Sequence, residues 1–264
     1  MNLGLTDKVA VITGAGKGIG LAITETLGRE GARVVAGSRT RTPEIAALCE
    51  RYGGAFVPVD LAEAGGPDLL VRTAAERHGR IDVLVNNLGA TSARSGFLDV
   101  DDAQWQRVFD LTFFSAVRTS RAALPHLLAD SGGAIVNVSS VNARLPFPTV
   151  VHYSAAKAAL SNLTKALSEE FAPQGVRVNS IAPGPVRTPF WTAPGGLAET
   201  AAAGTGKSAE EALDEVVPRQ MGISTGRITE PREVAELCAF LASARAANIT
   251  GAEFVIDGGQ IKTT

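Results

Sequence analysis

The string Thr13-Gly14-Ala15-Gly16-Lys17-Gly18-Ile19-Gly20 constrains the fold more than any other feature, because of what flanks it. A short β-rich run (residues 8–13) leads into it. An apolar-periodic stretch (19–30) and a second β-rich run (33–36) lead out, which reads as a βαβ unit. The alternation continues with strands at 55–59, 81–85, 134–138, 176–181 and 253–256, and helices near 68–78, 101–129, 153–171 and 231–242. Strands separated by helices pair in parallel, since a parallel neighbour needs a crossover rather than a hairpin. The expected fold class is α/β: one doubly wound domain over residues 1–264, with a seven-stranded parallel sheet and helices on both faces. Apolar runs such as Val83-Leu84-Val85 suit strands covered on both sides.

Residues 189–230 break the rhythm. They are rich in Ala, Gly and Thr, with a helical patch near 210–217, and a stretch of that length inside one domain reads as a substrate lid. Gly195, Gly196, Gly204 and Gly206 suit a lid that orders on binding. Phe190, Trp191, Leu197, Val216, Val217 and Met221 are its candidate walls, with Leu145, Phe147 and Val150 before the helix at 153. Phe190 and Trp191 read equally as plain packing of the lid.

Charge and cysteine content exclude several functions. Lys+Arg 25 against Asp+Glu 27 gives a net charge of -2, which offers no general attraction to nucleic acid or an anionic membrane. Cys49 and Cys238 stand far apart, so neither a disulfide framework nor a metal site is expected. No run approaches the roughly 18 apolar residues of a spanning helix, and no signal peptide is recognisable, so a cytoplasmic location is expected.

A Gly-rich turn between a strand and a helix lets a backbone approach a pyrophosphate without a Cβ in the way, at a helix N-terminus with free N–H groups. Gly14, Gly16, Lys17, Gly18, Ile19 and Gly20 are therefore read as a dinucleotide site. NAD sites place an acid about 20 residues further on for the ribose 2′-OH. The segment 33–41 reads RVVAGSRTR, with Ser38 in that position, Arg39 after it and no acid. Arg pairs with a 2′-phosphate where a carboxylate would repel it, so NADP is favoured and NAD remains possible. Arg39 and Arg41 also read as solvated loop charges.

Tyr153 and Lys157 are four residues apart on one helix, so they share a face. An ammonium beside a phenol favours the phenolate, which would let Tyr153 exchange a proton with a substrate oxygen. Ser139 and Ser140 end a preceding strand, where ligands of parallel sheets gather.

Other motifs stand in sequence with these: Asp60 after the third strand, Asn86-Asn87-Leu88-Gly89 after the fourth, IVNVSS at 135–140, Pro183-Gly184 with Val186 and Thr188, and Asp257-Gly258-Gly259. In order and spacing the whole set resembles the short-chain dehydrogenase/reductase family in its compact, one-domain, Rossmann-like form. The resemblance covers nearly the whole chain. It implies that Tyr153 is the general acid/base, that Lys157 lowers its pKa and binds the nicotinamide ribose, and that Ser140 orients the substrate carbonyl. It places Asp60, with Leu61 beside it, at the adenine, and Asn87 and Gly89 at the adenosine-side ribose. Val186 and Thr188, after Pro183 and Gly184, fall at the nicotinamide carboxamide. Taken singly, Asp60 reads as a cap and the two asparagines as a turn.

Two positions depart from the family pattern. Thr112 stands where relatives carry an Asn that helps hold a water linking the catalytic lysine to solvent, so the proton relay is expected to be weakened or rebuilt. Leu88 replaces an Ala and is expected to crowd the cofactor side.

The expected activity is that of an NADP-dependent oxidoreductase moving hydride between nicotinamide and a carbonyl or secondary alcohol of a largely apolar small molecule. The alternatives are a 3-oxoacyl thioester reductase-like enzyme or a silent dinucleotide-binding sensor. Arg94, Arg144 and Arg187 are the candidates for an anionic substrate group. The helix at 153–171 carries more apolar surface than one sheet face would bury, and relatives are commonly oligomers, so a homotetramer or homodimer is expected.

Overall fold

The computed structural model describes residues 2–90, 96–129 and 132–263. Its strands are β1 (Val9–Thr13), β2 (Arg33–Ser38), β3 (Ala55–Pro58), β4 (Val83–Asn86), β5 (Gly133–Val138), β6 (Val176–Pro183) and β7 (Glu253–Ile256). They form one sheet in the order β3-β2-β1-β4-β5-β6-β7, and every pairing is parallel. The chain winds outward from β1 to β3 and then resumes on the other side of β1 with β4. A crevice opens where the winding direction switches, beyond the carboxyl ends of these two strands.

Helices α1 (Gly18–Arg29), α2 (Pro43–Arg51), α3 (Gly66–His78), α4 (Asp102–Phe109), α5 (Ser115–Ala129), α6 (Val151–Phe171), α7 (Pro189–Thr192), α8 (Leu197–Ala202), α9 (Ala209–Glu211), α10 (Val217–Gln220) and α11 (Pro231–Ala242) make the crossovers and the segment before α11. On one face of the sheet Ile23, Leu27, Ile45, Val234 and Cys238 pack over Ala10, Ile12 and Val136. On the other, Leu70, Ala74, Ala123 and Leu127 cover Val9, Val11, Leu84 and Ile135. Alternate side chains of the central strands feed the two cores, which explains why β1 and β4 read as apolar runs.

Three features differ from the sequence expectation. Helix α2 occupies a connection that the sequence reading leaves unassigned; Thr42 caps it by accepting from the Ile45 amide, and Pro43 opens its first turn. The long helix expected over 101–129 is interrupted by a π-turn, Asp110–Phe114, between α4 and α5. An inserted π-turn leaves the apolar period of its neighbours intact, so periodicity does not reveal it. The inward face of α6 is largely polar, with Ser154, Lys157, Thr164 and Ser168 buried beside Ala156 and Leu160.

Candidate active site

The Gly-rich turn is built for close approach. Gly14 and Gly18 have φ of 65° and 57°, which a side chain would strain. A Cβ on Gly20 would fall 2.3 Å from the Gly14 carbonyl oxygen, and one on Gly16 2.6 Å from Ser38 Oγ. Lys17, at the N-cap of α1, makes no side-chain capping bond, so the first amides of a 12-residue helix face the crevice without a protein acceptor from that residue. Ile19 half-packs on the first core beside them.

Thr13 and Asn87 fix this turn. Asn87 Nδ2 donates to the carbonyls of Thr13 and Gly14 at 3.0 and 3.1 Å, while the amides of Asn87 and Leu88 donate to Thr13 Oγ1 at 2.9 and 3.1 Å. Both side-chain donors of Asn87 are thus spent on stitching the end of β4 to the end of β1. Sequence reading gave Thr13 no role, although a hydroxyl residue closing a strand before Gly14 is a visible signal. Asn86 also has a packing role: its Nδ2 donates to Ser120 and Asn137, and Asn137 donates on to Thr164 of α6. Leu88 is partly buried against the second core, and its Cδ1 lies close to Gly14 of the turn.

The remaining expected cofactor residues divide into two groups. Asp60 caps its own turn through the Ala62 amide at 3.0 Å, and Leu61 is buried in the second core. Ser38 is half-buried and donates to the Thr40 carbonyl; Arg39 and Lys17 are exposed and have no ion-pair partner among the described residues. At the far side, Val186 pairs with Thr229 beyond the end of β6, and Thr188 precedes α7 without a side-chain capping bond, its methyl and Cβ close to Gly18. Pro183 ends β6, and the Gly184 amide is tied to the Ile256 carbonyl. The fold thereby brings residues 14–20, 87 and 188 to one crevice.

Tyr153, Lys157 and Ser140 converge at the carboxyl end of β5. Lys157 is 2% exposed; its ammonium donates to the Val138 carbonyl at 2.6 Å and lies 5.6 Å from the Tyr153 ring centroid. Burial lowers its pKa to about 7. Burial also raises the Tyr153 phenol to about 12, with the Ser140 hydroxyl beside it working in the opposite direction. In the unliganded protein burial thus favours the neutral form of both side chains. The Lys157 Nζ is held at the Tyr153 ring and at the Val138 carbonyl.

Gly89 sits on the lysine: a Cβ there would meet Lys157 Nζ at 3.0 Å and Thr112 Cγ2 at 3.7 Å. That places Gly89 at the Tyr-Lys end of the crevice rather than with the residues around Ser38 and Asp60. Thr112, in the π-turn, is completely buried, and its Oγ1 has no hydrogen-bond partner among the described residues. A buried hydroxyl beside a buried lysine suits an internal water or ligand oxygen.

Two arginines expected as substrate anchors are engaged elsewhere. Arg144 pairs with Glu253 at 2.6 Å. Arg187 pairs with Asp214 and Glu230. Arg94 lies outside the described residues. Of the expected apolar walls, Trp191, Val217 and Met221 join a small core with Ala198, Leu213, Ile223 and Ile228, because this segment has to bury apolar surface of its own. Leu145, Phe147 and Phe190 stay exposed at 47%, 51% and 45%, with Phe190 edge-on to Trp191.

Comparison with known proteins places this architecture. A family model described as enoyl-(acyl carrier protein) reductase matches residues 14–260. The chain belongs to the short-chain dehydrogenase/reductase family. Within that family it is 37% identical over 262 residues to the oxidoreductase UcpA of Escherichia coli (strain K12), covering 97% of this chain and 95% of that one. It is 35% identical over 263 residues to the cis-4-hydroxycyclohexanecarboxylate dehydrogenase of Sinomonas cyclohexanicum, covering 98% of each. The crystal structure of L-sorbose reductase from Gluconobacter frateurii complexed with NADPH and L-sorbose superposes with a TM-score of 0.92 at 34% identity, covering 100% of both chains. The short-chain dehydrogenase/reductase fold is thus present from end to end, and the protein is an oxidoreductase acting at the alcohol and carbonyl level. No helix among the described residues is long and apolar enough to cross a membrane.

Proposed function

We propose that the protein is an NADP(H)-dependent reductase of uncharged carbonyl compounds, running in reverse on the matching secondary alcohols. The observation that carries this reading is the convergence of Tyr153, Ser140 and Lys157 beside the Gly-rich turn. The bound nicotinamide would supply hydride at its C4. Gly14 and Gly18, in the left-handed region, and Gly16 and Gly20, where a Cβ would clash, would admit its pyrophosphate, with Lys17 and Ile19 of the same turn beside it. Lys157, with Gly89 leaving it room, would bind the ribose hydroxyls. Val186 and Thr188, after Pro183 and Gly184, would take the carboxamide, and Asp60 and Leu61 would lie at the adenine.

Tyr153, its phenol protonated across the neutral range, would deliver the proton to the substrate oxygen. Ser140 would donate a second hydrogen bond to the same oxygen as negative charge develops there. Thr112 Oγ1, buried near Lys157, would hold the water through which the lysine exchanges protons with solvent. Residues 189–230, with five glycines in the left-handed region at 195, 204, 206, 222 and 226, would act as the substrate lid.

The uncharged substrate follows from the electrostatics. Arg144 and Arg187 are both neutralised by carboxylates of the chain itself, and Leu145, Phe147 and Phe190 offer an apolar rim. A panel pairing each neutral ketone or ketose with its carboxylated or phosphorylated counterpart tests this. Faster turnover of the neutral members supports it; preference for the anionic members overturns it.

Ser38, Arg39 and Lys17 would select the cofactor 2′-phosphate. A charge-assisted contact contributes about 1.5–3 kcal/mol, so Arg39→Ala should raise the NADPH Kd about 10- to 100-fold and leave that for NADH nearly unchanged. Equal loss for both cofactors in a fluorescence titration would remove Arg39 from this role.

Assembly as a homodimer or homotetramer is part of the same reading. Trp105, Phe109, Phe113 and Phe114 form a continuous aromatic line along α4 and the π-turn, with Phe114 exposed, and α6 leaves Ala158 and Ala166 on its outer side. Light scattering at micromolar concentration should give two or four times the 27.3 kDa chain mass; a monomeric mass would contradict it.

A further inference from the structure

Ser140 lies in a segment tied at both ends to one carboxylate. Glu253, at the start of β7, has a side chain only 11% exposed. Its Oε1 is 2.6 Å from Arg144 Nε, four residues beyond Ser140. Its Oε2 accepts from Ser161 Oγ of α6 at 2.5 Å and from Ser180 Oγ of β6 at 3.2 Å. Ser161 and Ser139 share a further hydrogen bond of 2.8 Å, and Ser139 precedes Ser140.

The direction of this chain follows from donor counting. A carboxylate only accepts, and a serine hydroxyl has one proton to give. Ser161 gives its proton to Glu253, so it accepts the proton of Ser139. The Lys157 carbonyl, 3.3 Å from Ser139 Oγ, is the more distant acceptor for that same proton. Ser139 is thus oriented away from the crevice toward β7, while its neighbour Ser140, 9% exposed, stands beside Tyr153. Lys157 and Ser161 are one turn apart on α6, so the carboxylate also registers the lysine's helix against the Ser140 segment.

We propose that Glu253 is a positioning residue for the reaction: through Ser161 and Ser139 on one side and Arg144 on the other, it holds segment 139–144 so that the Ser140 hydroxyl meets the substrate oxygen. This rests on the role given to Ser140 above. It also predicts that Glu253→Gln is not a conservative change. A glutamine oxygen turned to Arg144 presents its NH2 to Ser161 and reverses the serine chain. Turned to the serines, it presents NH2 to a guanidinium.

Two readouts on Glu253→Gln and Ser161→Ala separate this proposal from the functional reading. The first is amide hydrogen exchange of the peptides over 139–147 and over 14–20 in the unliganded protein. Exchange at 139–147 should rise about tenfold, the equivalent of losing about 1.4 kcal/mol of local stability, with 14–20 unchanged. Unchanged exchange at 139–147, or a uniform rise over both peptides, overturns the clamp whether or not the enzyme turns over.

The second is steady-state kinetics beside an NADPH titration. The kcat for carbonyl reduction should fall about tenfold or more in each variant, with the NADPH Kd within about twofold of wild type. The double variant should be no slower than Glu253→Gln, because both changes break one chain. Loss of kcat in step with NADPH affinity, or none at all, overturns the positioning role. Exchange that rises only at 139–147 in a protein without carbonyl turnover would leave the clamp in place and reject the functional reading instead.

Discussion

Tyr153→Phe is expected to lower kcat for carbonyl reduction by about 10²- to 10⁴-fold, the range that a positioned general acid contributes, while NADPH binding stays intact. The substitution removes one oxygen. The ring remains against the Lys157 ammonium, 5.6 Å from its centroid, and the Gly-rich turn is held by Thr13 and Asn87 without help from Tyr153. Cofactor affinity therefore has no reason to change, and a variant that binds NADPH normally but turns over slowly isolates the proton-transfer step. The direction of reaction adds a second signature. Reduction uses the protonated phenol, and burial raises that phenol to about 12, so proton donation by Tyr153 is not limiting up to pH 9. Alcohol oxidation needs the proton removed, so its rate should climb with pH over the same range in wild type and lose that slope in Tyr153→Phe. A variant with more than a tenth of wild-type activity would take Tyr153 out of the acid role.

Lys157→Met is expected to have the other large effect, and on two properties in opposite directions. Turnover should fall by about 10²-fold or more, since the ribose hydroxyls would lose the lysine that holds them and each charge-assisted contact contributes about 1.5–3 kcal/mol. Stability of the unliganded protein should rise. The folded-state pKa of Lys157 is lowered from 10.5 to about 7, so between those values the unfolded chain holds a proton that the folded protein has released. Stability of the wild type then increases as pH rises through that window, and below pH 7 the penalty of burying the ammonium is complete. Removing the amine abolishes the penalty. The gain for Lys157→Met should be a few kcal/mol near pH 6, by about 1.36 kcal/mol per pKa unit less the lost bond to the Val138 carbonyl, and should fade toward pH 10. Urea titrations at both pH values measure it. A variant less stable than wild type at pH 6 would show that the ammonium stabilises the unliganded fold.

The division between what sequence reveals and what it hides has physical causes. All seven strands were legible because each is a short apolar run flanked by turn residues, and their parallel order follows from the intervening helices. The turn at 14–20 and the pair Tyr153 and Lys157 were legible because a local spacing dictates a local geometry. Helix α2 was not, since nine residues are little more than two turns and its buried pair, Ile45 and Cys49, is a short signal beside the longer helices. Desolvation of Lys157 was invisible, because it depends on what closes over α6 from β4 and the π-turn. The contact of Glu253 with Ser161 spans 92 positions, and no spacing rule reaches that far. Asn87 read as a turn residue or a cofactor contact, and its use as a clasp for the Gly14 carbonyl appears only once β1 and β4 are neighbours.

Transfer of label from NADPH tests the central claim most directly. Wild-type protein is incubated with NADPH carrying deuterium at both hydrogens of nicotinamide C4 and with the panel of neutral ketones and ketoses, and products are analysed by mass spectrometry. One deuterium on the carbinol carbon of an alcohol formed in equal amount to the NADPH consumed is the predicted result. NADPH that binds but is not consumed with any carbonyl, or an alcohol without deuterium, would contradict it and leave a dinucleotide-binding protein without reductase chemistry.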